Sequence, residues 1–357
     1  MGSLHAMPAK LPDERTSERR GRCVVRVVPD CSGATYGTCR ERCSTLELAF
    51  FQGGQGLVVE LLSQGEGSMM GTRVGRCAVK RNAMLKPVLK WVGGKRQLLD
   101  DIAPLVPNNP SLYVEPFVGG AAVLLHRQPT HARINDFNEE LVNVYRVVRD
   151  DPDGLLALLR DHETANDTEG ADHFYEVRAL DRSADFAKMT DVERAARIIY
   201  LNKTCFNGLF RVNSAGQLNA PYGRYKHPNI VNEPGIKALS TYLKGDVDIR
   251  CGDYADCLVD LPKGAFVYLD PPYMPITATS AFTGYTQGGF DYEEQERLRD
   301  ECVKLGDAGI TFLQSNSDCD EIRDLYKGFT IRTVKARRAI NSRGDRRGAV
   351  SEVLISG

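Results

Sequence analysis

Beyond Met84 the chain alternates two kinds of pattern. Short apolar runs fall at 112–118, 132–134, 247–250, 265–269, 310–313, 329–334 and 350–355, and each predicts a strand. Between them apolar residues recur at helical spacing. Residues 138–148 carry Leu141, Val144, Tyr145 and Val148 on one stripe, and 293–305 align Leu298, Cys302 and Leu305. From 151 to 245 helical patterns continue without strand signals. Strand–helix alternation on both sides of that block predicts one α/β sheet, drawn from 84–150 and 246–357 and split by an inserted helical domain at 151–245. Residues 1–83 are rich in Gly, Arg and Ser and hold no sustained period; only L-V-V-E-L-L at 57–62 suits a strand or a helical turn. We expect a largely disordered extension there, with Met84 as a candidate internal start.

Composition changes this picture little. A chain of 357 residues with 42% apolar and 26% charged residues is ordinary for a globular protein of two or three domains. No apolar run is long enough to span a bilayer, and the N-terminus lacks a secretory pattern, so an intracellular protein is expected. The net charge of −1 singles out no partner, but 335–347 gather six basic residues against one acid. Alone, such a run reads as a solvated loop. The ten cysteines show no paired CxxC spacing with matching histidines, so no metal site is expected. Cys205, Cys251, Cys257, Cys302 and Cys319 sit singly among apolar residues, as reduced core cysteines do.

Four stretches carry chemistry. In V-Y-L-D-P-P-Y, the run ending at Leu269 reads as a buried strand that Pro271 and Pro272 cannot continue, since neither offers an N–H. Asp270 is thereby left at the strand's carboxyl end, where ligands bind in open α/β sheets, with Tyr273 close by. A Pro-stopped strand with a capping acid would read the same way. In Y-V-E-P-F-V-G-G, Gly119 and Gly120 allow a close backbone approach but do not form a dinucleotide fingerprint. Asp136, at the tip of the second strand, suits a ribose hydroxyl, and also suits a helix N-cap. In K-W-V-G-G-K, Lys95 suits a carboxylate or phosphate and Trp91 an apolar ligand face or the core.

Together these stretches resemble the Dam-type (D12 class) DNA adenine-N6 methyltransferase family. The resemblance runs from about Leu85 to Ile355 through K-W-x-G-G-K, E-P-F-V-G, D-P-P-Y, L-N-K-T-C-F-N-G-L-F-R-V-N, N-A-P-Y-G-R-Y-K and T-A-T-S-A-F-T-G-Y. It implies a Rossmann-like S-adenosylmethionine-dependent sheet with a helical target-recognition domain, acting on double-stranded DNA. In that family Asp270 and the carbonyl of Pro271, set by Pro272, would accept the adenine N6 hydrogens, and Tyr273 would stack on the extruded base. Trp91, Lys95, Glu115, Phe117, Gly119, Asp136, Asp253, Tyr254 and Asp270 would line the methyl-donor site. Phe206 would wedge into the duplex and Asn207 would contact DNA beside it, Leu209, Arg211 and Lys90 would read bases, and Pro221, Arg224, Tyr225 and Lys226 would add base or phosphate contacts. Arg337 and Arg338, in the basic run, then become phosphate contacts.

Two positions depart from the family pattern. Phe206 stands where Tyr is frequent, and F-V-G-G-A replaces F-x-G-x-G. The recognition segment suggests GATC as the target. Methylation of an RNA base or a glutamine amide is the enzymatic alternative, and a catalytically idle DNA-binding protein the non-enzymatic one; F-N-G-L-F-R speaks against the first, and intact Asp270 and Tyr273 against the second. We expect a monomer with no obligate protein partner and no membrane association, cytoplasmic in a prokaryotic or phage setting.

Overall fold

The computed structural model describes residues 81–208, 210–213, 215–275, 290–337 and 349–357, with the backbone alone at 336–337 and 349–350. Strand backbone is also described within 28–62. The chain divides into two units, Met1–Lys80 and Arg81–Gly357. In the first, Thr45–Gln52 pairs antiparallel with Gln55–Leu62, so L-V-V-E-L-L lies in a strand rather than a helical turn. The rest of the extension expected at 1–83 falls mostly outside the described residues.

Among its described residues the second unit is built on seven strands: β1 (Tyr113–Glu115), β2 (His131–Asp136), β3 (Asp246–Cys251), β4 (Phe266–Leu269), β5 (Thr311–Ser317), β6 (Thr330–Arg337) and β7 (Ala349–Ser356). Their order across the sheet is β6-β7-β5-β4-β1-β2-β3. β1 runs parallel to β2 and β4, and β2–β3 and β4–β5 are also parallel. β7 lies antiparallel between β5 and β6. The chain winds outward from β1 through β2 to β3, then returns to β4 beside β1. The carboxyl ends of β1 and β4 therefore flank the switch point at which open sheets bind ligands. Both strands are buried along their whole length, as central parallel strands covered on two faces must be.

Among the described residues ten helices accompany the sheet: α1 (Leu99–Ile102), α2 (Ala122–Arg127), α3 (Glu139–Asp150), α4 (Pro152–Glu169), α5 (Ala171–Ala179), α6 (Asp191–Thr204), α7 (Glu233–Leu243), α8 (Tyr254–Cys257), α9 (Tyr292–Asp307) and α10 (Asp320–Leu325). Their starts follow local chemistry. Asn138 caps α3 through Leu141 N–H at 3.0 Å, and Thr190 with Glu193 forms a capping box at α6.

The sheet separates two apolar layers. One joins Tyr113, Ile134 and Leu354 to residues of α3, α4, α6 and α7, and the other joins Val114, Val267 and Ile355 to α9 and α10. The helices of 151–245 thus share one core with the sheet. α7 lies along α3, where Ser240 Oγ donates to the Arg149 carbonyl at 3.3 Å and Tyr242 donates to that of Pro129 at 3.0 Å. β5 also runs four residues beyond the run expected at 310–313, because Gln314, Ser315, Asn316 and Ser317 are buried despite their polarity. Among the described residues Cys205, Cys251, Cys257, Cys302 and Cys319 are reduced, in no disulfide.

Candidate active site

β4 ends at Leu269, and Asp270 follows at its carboxyl end. The Lys95 ammonium lies 2.7 Å from Asp270 Oδ1 and donates to the Gly93 carbonyl at 2.6 Å. It also stands over the Tyr273 ring, 4.7 Å from the centroid. Ser315 Oγ donates to Asp270 Oδ1 at 3.0 Å. Burial raises the Asp270 carboxyl above its ordinary range, while the Lys95 charge opposes it. Beyond the prolines the chain is tied by side chains: Gln295 donates to the Pro272 carbonyl at 2.9 Å, and Asn316 Oδ1 accepts the Met274 N–H at 3.1 Å. Ser317 Oγ donates to the Met274 carbonyl at 2.7 Å. Among the described residues nothing donates to the Pro271 carbonyl. Asp270 and Pro271 thus present two acceptors side by side.

Across the switch point, Glu115 ends β1 and is fully buried. Its Oε2 accepts the Tyr113 hydroxyl at 2.8 Å and the Leu124 N–H at 3.2 Å, in the first turns of α2. Burial pushes its carboxyl up to about 8, with the Asp270 charge adding to the effect. Gly119 has φ +46°, and a Cβ there would stand 3.0 Å from Trp91 Cδ1. The Gly-Gly turn is therefore also the seat of the Trp91 ring. Asp136 Oδ2 accepts the Gly119 N–H at 3.0 Å while Oδ1 accepts that of Asn138 at 3.0 Å, so its carboxylate ties the turn to the start of α3. Burial raises its carboxyl, and those N–H donors counter the rise. Phe117, Tyr254 and Phe290 form an aromatic trio with centroids 5.1–6.1 Å apart. Asp253 caps α8 through the Ala255 N–H at 2.8 Å and binds Arg297 through both oxygens, at 2.7 and 2.9 Å. That guanidinium holds the Asp253 carboxyl below its usual range.

The third group of residues adjoins these through Trp91, whose ring stacks on Phe210 at 4.8 Å. Next to it, Asn202 accepts the Lys90 N–H at 2.8 Å and donates to the carbonyls of Lys90 and Gly208 at 2.9 and 3.1 Å. One amide of α6 therefore fastens K-W to F-N-G. Gly208 adopts φ +63°, where glycine is favoured, and a Cβ there would meet Lys90 Cδ at 2.8 Å, so the lysine would have to shift. Phe206 is 54% exposed, a large apolar side chain held toward solvent. Its N–H donates to the Pro221 carbonyl at 2.8 Å. Asn207 adopts φ +59°, and its N–H is received by the Tyr225 hydroxyl at 3.0 Å. Tyr225 thus supports the Phe206 turn as well as standing exposed. Arg211 is exposed and is oriented by Asn219 Oδ1 at 2.7 Å across a short antiparallel pair. Arg224 and Lys226 are exposed beside Tyr225. Leu209, Arg338 and the T-A-T-S-A-F-T-G-Y segment lie outside the described residues, as does the side chain of Arg337 in β6.

Sequence reasoning passed over Ser315, Asn316 and Gln295, which hold the D-P-P-Y-M segment, and Asn202, which links the two faces. The run Q-S-N-S following I-T-F-L carried a signal for the first two: four polar residues directly continuing a buried strand. No local pattern marks Gln295 or Asn202.

Known proteins share much of this sequence. Residues 91–340 match the D12 class N6 adenine-specific DNA methyltransferase family. The chain is similar to the type II methyltransferase M1.LlaDCHI of Lactococcus lactis subsp. cremoris, at 43% identity over 278 residues, covering 78% of this chain and 97% of the relative. Against the type II methyltransferase M.MjaIII of Methanocaldococcus jannaschii the identity is 42% over 285 residues, 76% of this chain and 98% of the relative. The DNA adenine methylase of Escherichia coli is 35% identical over 271 residues, 74% and 93% of the two chains.

Proposed function

This chain belongs to the D12 class N6 adenine-specific DNA methyltransferase family, and we propose that it methylates an adenine turned out of duplex DNA within GATC. DNA is the substrate class, and S-adenosylmethionine is the donor the family implies. The observation that carries the reading is the pair of acceptors at the end of β4, Asp270 and the Pro271 carbonyl, beside the Tyr273 ring and across from the Gly-Gly turn.

The residues around that turn suit the donor. Lys95 is a buried cation within reach of an amino-acid carboxylate, Asp136 a carboxylate for ribose hydroxyls, and Phe117 with Tyr254 an apolar seat for a purine. The donor supplies an electrophilic methyl group on a sulfonium. This chain's own residues do the rest by positioning and electrostatics. An exocyclic adenine amine is a weak nucleophile because its lone pair is delocalised into the ring. Two hydrogen bonds, to Asp270 and to Pro271, favour a more tetrahedral nitrogen, so that the lone pair is withdrawn from the ring π system and directed at the methyl group. Asp270, raised by burial, is also the base nearest the proton that the methylated nitrogen must shed. Lys95 now holds both Asp270 and the Tyr273 face, the two partners assigned to the adenine, so entry of the base requires Lys95 to withdraw.

Phe206 is the wedge in this reading, filling the stacking space that the adenine leaves. Lys90, Arg211 and Leu209 read bases, with Arg211 aimed by Asn219. Asn207, Pro221, Arg224, Tyr225 and Lys226 shape or extend that face, and Arg337 with Arg338 adds phosphate contacts. One chain supplies both faces, which supports a monomer as the working unit. No helix of the described residues is long and apolar enough to cross a membrane, and a DNA substrate with bacterial relatives supports action in the cytoplasm. The test is transfer of labelled methyl to duplexes carrying GATC and to duplexes altered at one base, followed by modified-base sequencing. Label confined to adenine of GATC is expected; modification centred on another sequence would overturn the specificity, and absence of N6-methyladenine the mechanism.

A further inference from the structure

We propose that Glu352, on the last strand, is a positioning residue for methyl transfer: it holds the ring of Tyr273 in the orientation on which the target base stacks. This rests on the reading of Tyr273 given above. Residues 271–275 have no regular secondary structure, and the two prolines bring no amide hydrogen by which a sheet could hold them. The backbone is tied at Pro272 and Met274 by Gln295, Asn316 and Ser317. Those ties hold the backbone and do not reach the Tyr273 ring, which has Lys95 over its face and Ser315 beside its phenol. What fixes its outer end is a hydrogen bond from the phenol to Glu352 Oε2 at 2.7 Å.

Topology delivers that carboxylate. β7 runs between β5 and β6, pairing Glu352 with Ser317 on one side and Val334 on the other. Ser317, one of the two residues that tie Met274, is therefore the direct sheet neighbour of the residue that holds Tyr273. Among the described residues Glu352 makes no ion pair. A carboxylate acceptor gives a stronger, shorter bond than a neutral one. Two consequences follow for the site. Ser315 already donates its hydrogen to Asp270, and Glu352 draws the phenol hydrogen the other way. Tyr273 therefore does not compete for the acceptor that the adenine amine needs. The ring is also ordered before the base arrives, so its side-chain freedom is not lost during the reaction.

Single-turnover methylation of duplex DNA by Glu352→Leu, Glu352→Gln, Tyr273→Phe and the Glu352→Leu/Tyr273→Phe double variant tests this, with thermal unfolding to verify folding. Glu352→Leu should lower the rate about tenfold or more, as loss of a hydrogen bond to a charged group does, with donor and duplex affinities within about twofold. Glu352→Gln, whose amide oxygen still accepts, should recover most of the rate. Tyr273→Phe should match Glu352→Leu, and the double variant should be no slower than either, because both remove one bond. A wild-type rate for a folded Glu352→Leu, a Glu352→Gln as slow as the leucine variant, or multiplied losses in the double variant would overturn the proposal. Tyr273→Ala separates the layers. If it is inactive while Glu352→Leu is active, only the role of Glu352 falls; if it methylates normally, the stacking platform falls and Glu352 with it.

Discussion

Two faces meet at Trp91, and they are built on opposite terms. Toward β4 the polar groups are buried and engaged: Lys95 with Asp270, Glu115 with Tyr113 and Leu124, Asn316 with Gln295 and Met274. Toward α6 the assigned recognition groups are exposed: Phe206, Arg211, Arg224, Tyr225 and Lys226 lie on a frame of backbone hydrogen bonds and αL turns. A buried network is costly when one member is removed, because its partners stay desolvated. An exposed group loses only what it would have made with a ligand. Substitutions at the first face should therefore disturb chemistry and stability together, and those at the second should disturb DNA alone.

Asp270→Ala should have the largest effect. Single-turnover methylation is expected to fall by roughly a thousandfold, about 4 kcal/mol of transition-state stabilisation, with duplex binding retained. The melting temperature should fall as well, since Lys95 would be left buried without its carboxylate. Unchanged stability would erase the contrast between the faces. Phe206→Ala should come next, lowering kcat/KM by about 10- to 100-fold, the worth of one lost stacking contact. Its melting temperature should not move, and a duplex in which the target adenine is mismatched should restore much of the rate. If the mismatch restores nothing, the wedge role is wrong.

Arg211→Ala sharpens the comparison further. It should cost about 1–3 kcal/mol of discrimination at one base pair, read as a rise in methylation of duplexes altered there relative to the cognate one. A uniform loss across all sequences would recast Arg211 as a phosphate contact. The smallest effect on turnover is expected at Glu115, whose contribution is to stability against pH. Its folded carboxyl titrates at about 8, against 4.5 without the fold. Between those values the folded state holds a proton that the unfolded state has released, so stability falls as pH rises through the window and levels off above it. Glu115→Gln should flatten the slope in melting temperature from pH 5 to 9; an equally steep slope would assign it to other groups.

Much of the site was legible because its residues are consecutive. Asp270 to Tyr273, Phe117 to Gly120 and Trp91 to Lys95 each sit within one turn, and the strand endings that position them follow from apolar runs and prolines. Boundaries were less legible where burial contradicts polarity. β5 continues through Gln314–Ser317 because those side chains find partners in the D-P-P-Y-M segment and α9, which no window of sequence contains. The helical block 151–245 stands out in the sequence because its period differs from that of the flanks. In the fold its apolar stripes lie on α3 and join the same apolar cluster as one face of the sheet, a contact that no periodicity shows.

The sequence by itself determined the local pieces: a carboxylate at a strand end, two prolines and an aromatic after it, and a glycine turn that admits a ring. Local geometry follows from residue type, and these motifs are local. Only the tertiary structure decided how the motifs are held. Asn202 joins two segments 112 residues apart, and Glu352 reaches Tyr273 from 79 residues away. Hydrogen bonds of that range depend on strand order and register. These are set by the sum of burial over the whole sheet, and no single stretch of chain carries that sum.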